Sequence, residues 1–234
     1  LYLNEIAEAF MYQKKFKEAA KFRLIAYDIC ISNNDLQGMT WIRFHIQDTY
    51  GVDNDTSNFV IDNFKSLLKK HPNVNEIIRD IARCFTGIGE FQEAIKWELK
   101  FNKIAPNNYE NYESLSFNYA TLKDDRSALL WLKKAHRLEP ENAYPLVNIG
   151  FHYQNLNDLK KALPYHLKRE KIKPISAWNK RQVGCCYQKS NDFKKALKFY
   201  KSAEELEPLN IWCLTNIAWC SVKLNDNVTA QKYY

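Results

Sequence analysis

Apolar and small residues stand in fixed columns along this chain, separated by stretches that are mostly polar. Pro72, Pro106, Pro140, Pro174 and Pro208 follow one another at intervals of 34 residues. Twelve residues before each of the last four stand Ala94, Ala128, Ala162 and Ala196, and twenty-one before stand Phe85, Tyr119, Tyr153 and Tyr187. Another column holds Ile81, Leu115, Ile149 and Val183, followed directly by the small residues Ala82, Ser116, Gly150 and Gly184. A period of this length marks a stacked repeat in which every unit has one packing plan. The columns predict two antiparallel helices per unit, the first ending near the aromatic and the second stopped before the proline. Between them the turns read GIGEFQEA from Gly87, LKDDRSA from Leu122, LNDLKKA from Leu156 and KSNDFKKA from Lys189. These place Gly, Asn, Asp or Ser at the break, with an acid near the N-cap in most of them. Proline cannot continue a helix and so resets the chain for the next pair. Pro164 falls early in a second helix, where a kink or a late helix start is expected.

Upstream the pattern loosens. Residues 1 to 33 keep Leu3, Ile6, Ala7, Phe10, Ala19 and Ala26, but the step from Ala19 to the equivalent Val60 is 41 residues. The insertion predicts about two extra helical turns on that hairpin, followed by an Asn/Asp and Gly turn. From Trp41 to Val74, Phe64, Leu67 and Pro72 remain, while Gln47, Asp48 and Gly51 depart from the pattern and VDNDTSN suggests a shortened first helix.

The columns resemble the tetratricopeptide repeat family. Residues 177 to 210 carry Val183, Gly184, Tyr187, Ala196, Tyr200, Ala203 and Pro208 at that family's offsets. Residues 109 to 142 carry Tyr112, Leu115, Tyr119, Ala128, Leu132, Ala135 and Pro140. The resemblance implies an all-α fold, a right-handed α-solenoid of tandem antiparallel helix hairpins. Its expected units are 1–40 (extended), 41–74 (degenerate), 75–108, 109–142, 143–176 and 177–210 (regular), and 211–234 (truncated), about six and a half repeats in a single superhelical domain.

Composition narrows the class. Of 234 residues, only 6 are Gly and 7 Pro, which disfavours a β-sandwich or barrel. No apolar run approaches the roughly 18–20 residues of a membrane-spanning helix. Six cysteines without a CxxC pair read as reduced thiols in a cytoplasmic protein. The formal net charge of +7 is uneven: residues 143 to 234 carry 15 Lys+Arg against 7 Asp+Glu, whereas residues 1 to 142 carry 19 against 20. An acidic partner and solvated lysine rows both account for that excess.

No nucleophile, base or metal constellation emerges, so no enzyme and no cofactor are expected. Gly87-Ile-Gly89 is a hairpin turn without a preceding strand. His166 and Glu170 are four apart but lack a third ligand. Cys84, Cys186 and Cys220 share one packing position, and Cys185 is expected to face the groove described next.

In the family resembled, first helices line a concave surface. The offsets carried over from it point Phe117, Tyr144, Phe151, Trp178, Arg181, Trp212 and Trp219 into a groove, with Arg79, Arg83, Glu110 and Glu113 upstream. Asn148, Gln182 and Asn216 repeat one neighbouring column, where the family often places an amide able to hold peptide backbone. Aromatics and Arg are the residue types that anchor partners. Packing between neighbouring first helices accounts for the same residues, and both readings stand at this point. The family's two-carboxylate clamp is not reproduced, because Val147, Phe151, Arg181 and Cys185 replace its Lys and Asn pair. The expected function is a noncatalytic scaffold for a protein or peptide, without membrane insertion and with nucleic acid disfavoured. The alternatives are a regulatory or sensor arm of a larger protein, or a basic nucleic-acid-associated module.

Overall fold

The turns explain the architecture. In the computed structural model, which describes residues 2–49 and 52–233, Gly89, Lys123, Asn157, Asn191 and Asn225 all have positive φ, between 58° and 82°. These five recur at the repeat period. Each puts one left-handed residue between two helices, a conformation open to Gly and mildly unfavourable for Asn and Lys. The next residue caps the following helix in four cases: the carboxylates of Asp124, Asp158, Asp192 and Asp226 accept from the backbone N–H of Ser127, Lys161, Lys195 and Thr229. First helices open on a second set of caps, Asn108, Asn142, Ser176 and Asn210, two residues after the prolines.

The described residues form fourteen α-helices and no strand, grouped into two compact units, Leu1–Leu122 and Lys123–Tyr234. The first unit holds α1 (Tyr2–Tyr12), α2 (Phe16–Ser32), α3 (Leu36–Ile46), α4 (Asn54–Lys70), α5 (Asn75–Gly87), α6 (Phe91–Ile104) and α7 (Tyr109–Thr121). The second holds α8 (Asp125–Leu138), α9 (Ala143–Asn155), α10 (Leu159–Ile172), α11 (Ala177–Lys189), α12 (Phe193–Leu206), α13 (Ile211–Lys223) and α14 (Asn227–Tyr233). In the second unit each helix packs on the next; in the first, α2 packs on α1, α3 and α4, and from α4 to α7 each helix packs on the next, the all-α repeat solenoid that the columns imply.

The first unit's core joins Tyr27, Ile42, Ile46, Phe64, Ile77 and Ile81. The second is built around Leu132, Ile149 and Ala162, then Tyr200, Cys213 and Ile217. Full burial of one such aliphatic side chain contributes roughly 1.5–3 kcal/mol. The small-residue column works by close approach. A Cβ on Gly184 would lie 2.6 Å from Cε1 of Tyr200, and one on Gly150 would lie 2.5 Å from Cε1 of His166. The aromatic column stacks within its own hairpin, Tyr153 on Tyr165 and Tyr187 on Phe199.

The upstream insertion is distributed differently from the expectation. α2, with 17 residues against 14 in α6, runs past the end of a regular second helix, and α4, also 17 residues, is longer at its start, so no single hairpin carries two extra turns. The break falls at Asn33–Asp35, and Gly38 lies inside α3. A Cβ there would meet Asp35 Oδ2 at 2.2 Å, while the Asp35 carboxylate caps Gly38 N–H at 2.8 Å. Glycine thus leaves room for the cap. α3 starts at Leu36, ahead of the expected unit at Trp41, and spans 11 residues. Gly51 and the terminal Leu1 and Tyr234 lie outside the described residues. α10 begins at Leu159 rather than after Pro164, which sits exposed within a continuous helix where water can take the carbonyl the ring leaves unbonded.

Candidate functional site

In the second unit the first helices α9, α11 and α13 present an aromatic surface without acidic residues. Tyr144 is 47% exposed, Phe151 43%, Trp212 46% and Trp219 37%. Trp178 is half-buried. The indoles are held at one edge: Trp178 meets the His166 ring at 6.3 Å, Trp212 meets Tyr200 at 5.6 Å and Trp219 meets Phe193 at 5.3 Å. Lys223 lies over Trp219 at 5.3 Å from the ring centroid. These side chains pack along one edge and leave area uncovered.

The amide column is partly engaged by its own helices. Asn148 Nδ2 donates to the Tyr144 carbonyl at 3.4 Å and Asn216 Nδ2 to the Trp212 carbonyl at 2.7 Å. Each bond orients the amide and leaves its oxygen as the group turned elsewhere. Gln182 contributes its carbonyl, which accepts from Gln154 Nε2 at 3.4 Å while the same nitrogen contacts Cys186 Sγ at 3.2 Å. Arg181 is paired with Glu207, Nη1 to Oε2 at 2.5 Å, and its side chain is only 14% exposed. A ligand carboxylate at Arg181 must displace Glu207. Cys185 is half-buried, and burial raises its thiol pKa, so it lacks the depressed pKa of a nucleophile. All six cysteines are unpaired. His166 is fully buried, and Glu170 turns to Asn179 and Lys180, so these two residues do not converge.

The first unit differs. Phe117 is 52% exposed and meets Phe91 at 6.4 Å, but Arg79, Arg83 and Glu110 are tied to one another. Arg79 and Arg83 both contact Glu110 Oε2, at 2.8 and 3.2 Å. Beneath them Asp80 takes Arg43 Nε at 2.6 Å and the Tyr27 hydroxyl at 2.5 Å. Burial, followed by the Asp80 charge, pushes the Tyr27 phenol far above its ordinary pKa, so it stays a neutral donor. Desolvation is the largest single influence on Arg43 and opposes its charge, but Asp80 and Tyr27 together outweigh it and the guanidinium remains charged.

Sequence reasoning missed this Tyr27–Arg43–Asp80 cluster, since Tyr27 belongs to the insertion and Arg43 to the irregular unit, while Asp80 stands in the column of Asn148, Gln182 and Asn216, which does not announce its partners. It also missed the buried Glu98 and weighed His166 only beside Glu170, although both stand in one column of second helices, where Phe64, Glu98, Leu132, His166 and Tyr200 succeed one another. Aligning the repeats exposes both. Burial raises the Glu98 pKa to about 7, and burial lowers that of His166 to about 4.

No protein-family model matches the sequence, and no curated protein matches it either. Solved structures do. The protein YrrB, described as a TPR protein with an unusual peptide-binding site, shares 17% identity with a TM-score of 0.64, covering 73% of this chain and 88% of its own. MamA from Desulfovibrio magneticus shares 20% identity with a TM-score of 0.64, over 69% of this chain and 91% of its own. A tetratricopeptide repeat protein from Parabacteroides merdae shares 15% identity with a TM-score of 0.63, over 78% and 72%. The chain has the tetratricopeptide repeat fold. No helix among the described residues is long and apolar enough to cross a membrane.

Proposed function

We propose that the protein is a peptide-binding scaffold whose ligand lies on the first helices of the second unit. The observation that carries this reading is the run of exposed aromatics Tyr144, Phe151, Trp212 and Trp219 beside the oriented amides Asn148 and Asn216. In this reading the repeats at 143–176, 177–210 and 211–234 each contribute one helix. The aromatic faces take apolar side chains, the amide oxygens take backbone N–H groups, and Trp178, Arg181 and Gln182 support the centre. Preorganised hairpins reduce the ordering that binding requires of the receptor. The similarity in fold to YrrB agrees with a peptide ligand.

The nucleic-acid alternative has less behind it. The second unit carries 20 Lys+Arg against 11 Asp+Glu, but the aromatics of its second helices, Trp131, Tyr165, Phe193, Phe199 and Tyr200, are buried or half-buried. Bases find no stacking platform there.

Selection from a random peptide library on the purified chain, repeated with Trp212→Ala and Trp219→Ala, tests the proposal. Loss of a hot-spot aromatic costs about 2 kcal/mol, so selected peptides should bind each variant roughly thirtyfold more weakly at unchanged helicity. Equal affinity for parent and both variants refutes the assignment.

A further inference from the structure

Arg169 breaks a column. The equivalent positions in the repeats before and after it are Ala135 and Ala203, both fully buried, and Phe101 precedes them. A guanidinium stands where its neighbours have a methyl group. Its Nε and Nη1 atoms are shielded from solvent and have no hydrogen-bond acceptor. Burial depresses its proton affinity, although Glu170 next to it pulls the other way. A desolvated donor without an acceptor destabilises a fold, so packing gives no reason for arginine here.

Beside Arg169 lies a cleft of about 510 Å³ at the end of the α9–α10 hairpin. Its charged and polar lining comprises Arg169, Lys173, Glu141 and Asn142, and its apolar wall includes Val147 and Ile172. Tyr144 forms part of the same lining, so the cleft adjoins the aromatic surface of α9. Lys173 is exposed and makes no ion pair, whereas Asn142 is engaged, donating to Glu139 and capping Tyr144 N–H. Glu141 adds one carboxylate to the same lining. Two cations and one carboxylate leave a single positive charge, which suits a monoanion better than a doubly charged phosphate.

We propose that this cleft is a carboxylate-binding site, in which Arg169 and Lys173 hold the carboxylate of an apolar residue whose side chain rests on Val147 and Ile172. The carboxylate comes from the bound peptide, as its chain end; only this source rests on the peptide-binding reading. Arginine's planar fork of donors matches a carboxylate, and the ligand supplies the acceptor that the chain lacks.

The probes are N-acetyl-phenylalanine, its uncharged amide and inorganic phosphate, titrated into the full chain while the Arg169 Nε–Hε resonance is followed by NMR. Arg169→Ala identifies that resonance by its disappearance. The acid should shift it saturably, the amide should leave it in place, and phosphate should act more weakly. An equal response to the amide, no response to the acid, or a stronger response to phosphate overturns the proposal. Arg169→Ala restores the residue of the flanking repeats, so its melting temperature should equal or exceed the parent's, while affinity for the acid falls at least about tenfold. A lowered melting temperature makes Arg169 structural and refutes the site. The two proposals fail separately: Trp212→Ala should leave the Arg169 shift intact, so a site without groove peptides refutes only the scaffold reading. Groove peptides indifferent to Arg169→Ala and to replacement of their terminal carboxylate by an amide refute the site's use in peptide binding.

Discussion

At equivalent repeat positions the two units differ in how much charge they carry, although Phe117 of the first unit is exposed like Phe151 and Trp219 of the second. The first unit puts Arg79, Arg83 and Glu110 on its first helices, linked to one another above the buried Arg43–Asp80 pair. The second puts Tyr144, Phe151, Trp212 and Trp219 there, each leaving over a third of its area exposed. Charges satisfied inside the fold need nothing further, whereas aromatic area held rigid at its edge and open to water is favourable to cover. One repeat plan thus yields paired charges on α5 and α7 in one unit and a run of uncovered aromatics in the other, while Trp41, Phe44 and Phe117 stay exposed in the first.

The largest expected effect breaks the first side of that contrast. Asp80→Ala strips the buried Arg43 of its counterion and the Tyr27 hydroxyl of its acceptor, which should destabilise the chain by about 3–5 kcal/mol. Urea unfolding measures it, and a midpoint equal to the parent's means that the cluster is not integral to the first unit.

The titratable groups of the shared second-helix column sharpen the contrast, because they give the units opposite responses to pH. Glu98 in the first unit holds its proton up to about pH 7, above the ordinary 4.5, so the native state binds more protons than the unfolded state between those values. Stability from this group is highest below about pH 4.5 and falls as pH rises to 7. His166 in the second unit is shifted from 6.5 down to about 4, so its contribution is full above 6.5 and is lost as pH falls towards 4. Each shift corresponds to a change on the order of 3 kcal/mol across its window. Glu98→Gln should flatten the fall and stabilise the chain near neutrality, and His166→Leu, the residue at Leu132, should flatten the loss in acid. Unfolding midpoints between pH 4 and 8 that respond alike in both variants contradict the opposed signs.

The smallest effect concerns close approach in the second unit. Gly184→Ala drives a methyl group into the Tyr200 ring and should cost about 1–3 kcal/mol, read as a lower melting temperature. An unchanged melting temperature shows that Tyr200 can move aside.

The periodic positions were legible in the sequence because packing in a repeat array requires the same shape each time. Ala128, Ala162 and Ala196 are buried as their column implies, and Asp124, Asp158 and Asp192 cap the helices that the turn residues announce. The insertion was readable in length but not in placement, since Asp35 drawing Gly38 into α3 is a contact between side chain and backbone that no period records. The groove candidates were readable as leftovers from the columns. That Arg181 would be paired with Glu207, at the end of another helix, was not.

The sequence by itself determined the hairpins, their turns and the small residues that let Tyr200 and His166 approach, because those depend on interactions repeated every 34 residues. Tertiary structure alone decided which polar groups found partners. Asp80 gathers Tyr27 and Arg43 across 53 and 37 positions of chain, while Arg169 finds no acceptor for two of its N–H groups. Hydrogen bonds and ion pairs act over a few ångströms and depend on direction, so only the folded chain can say which of its charges meet.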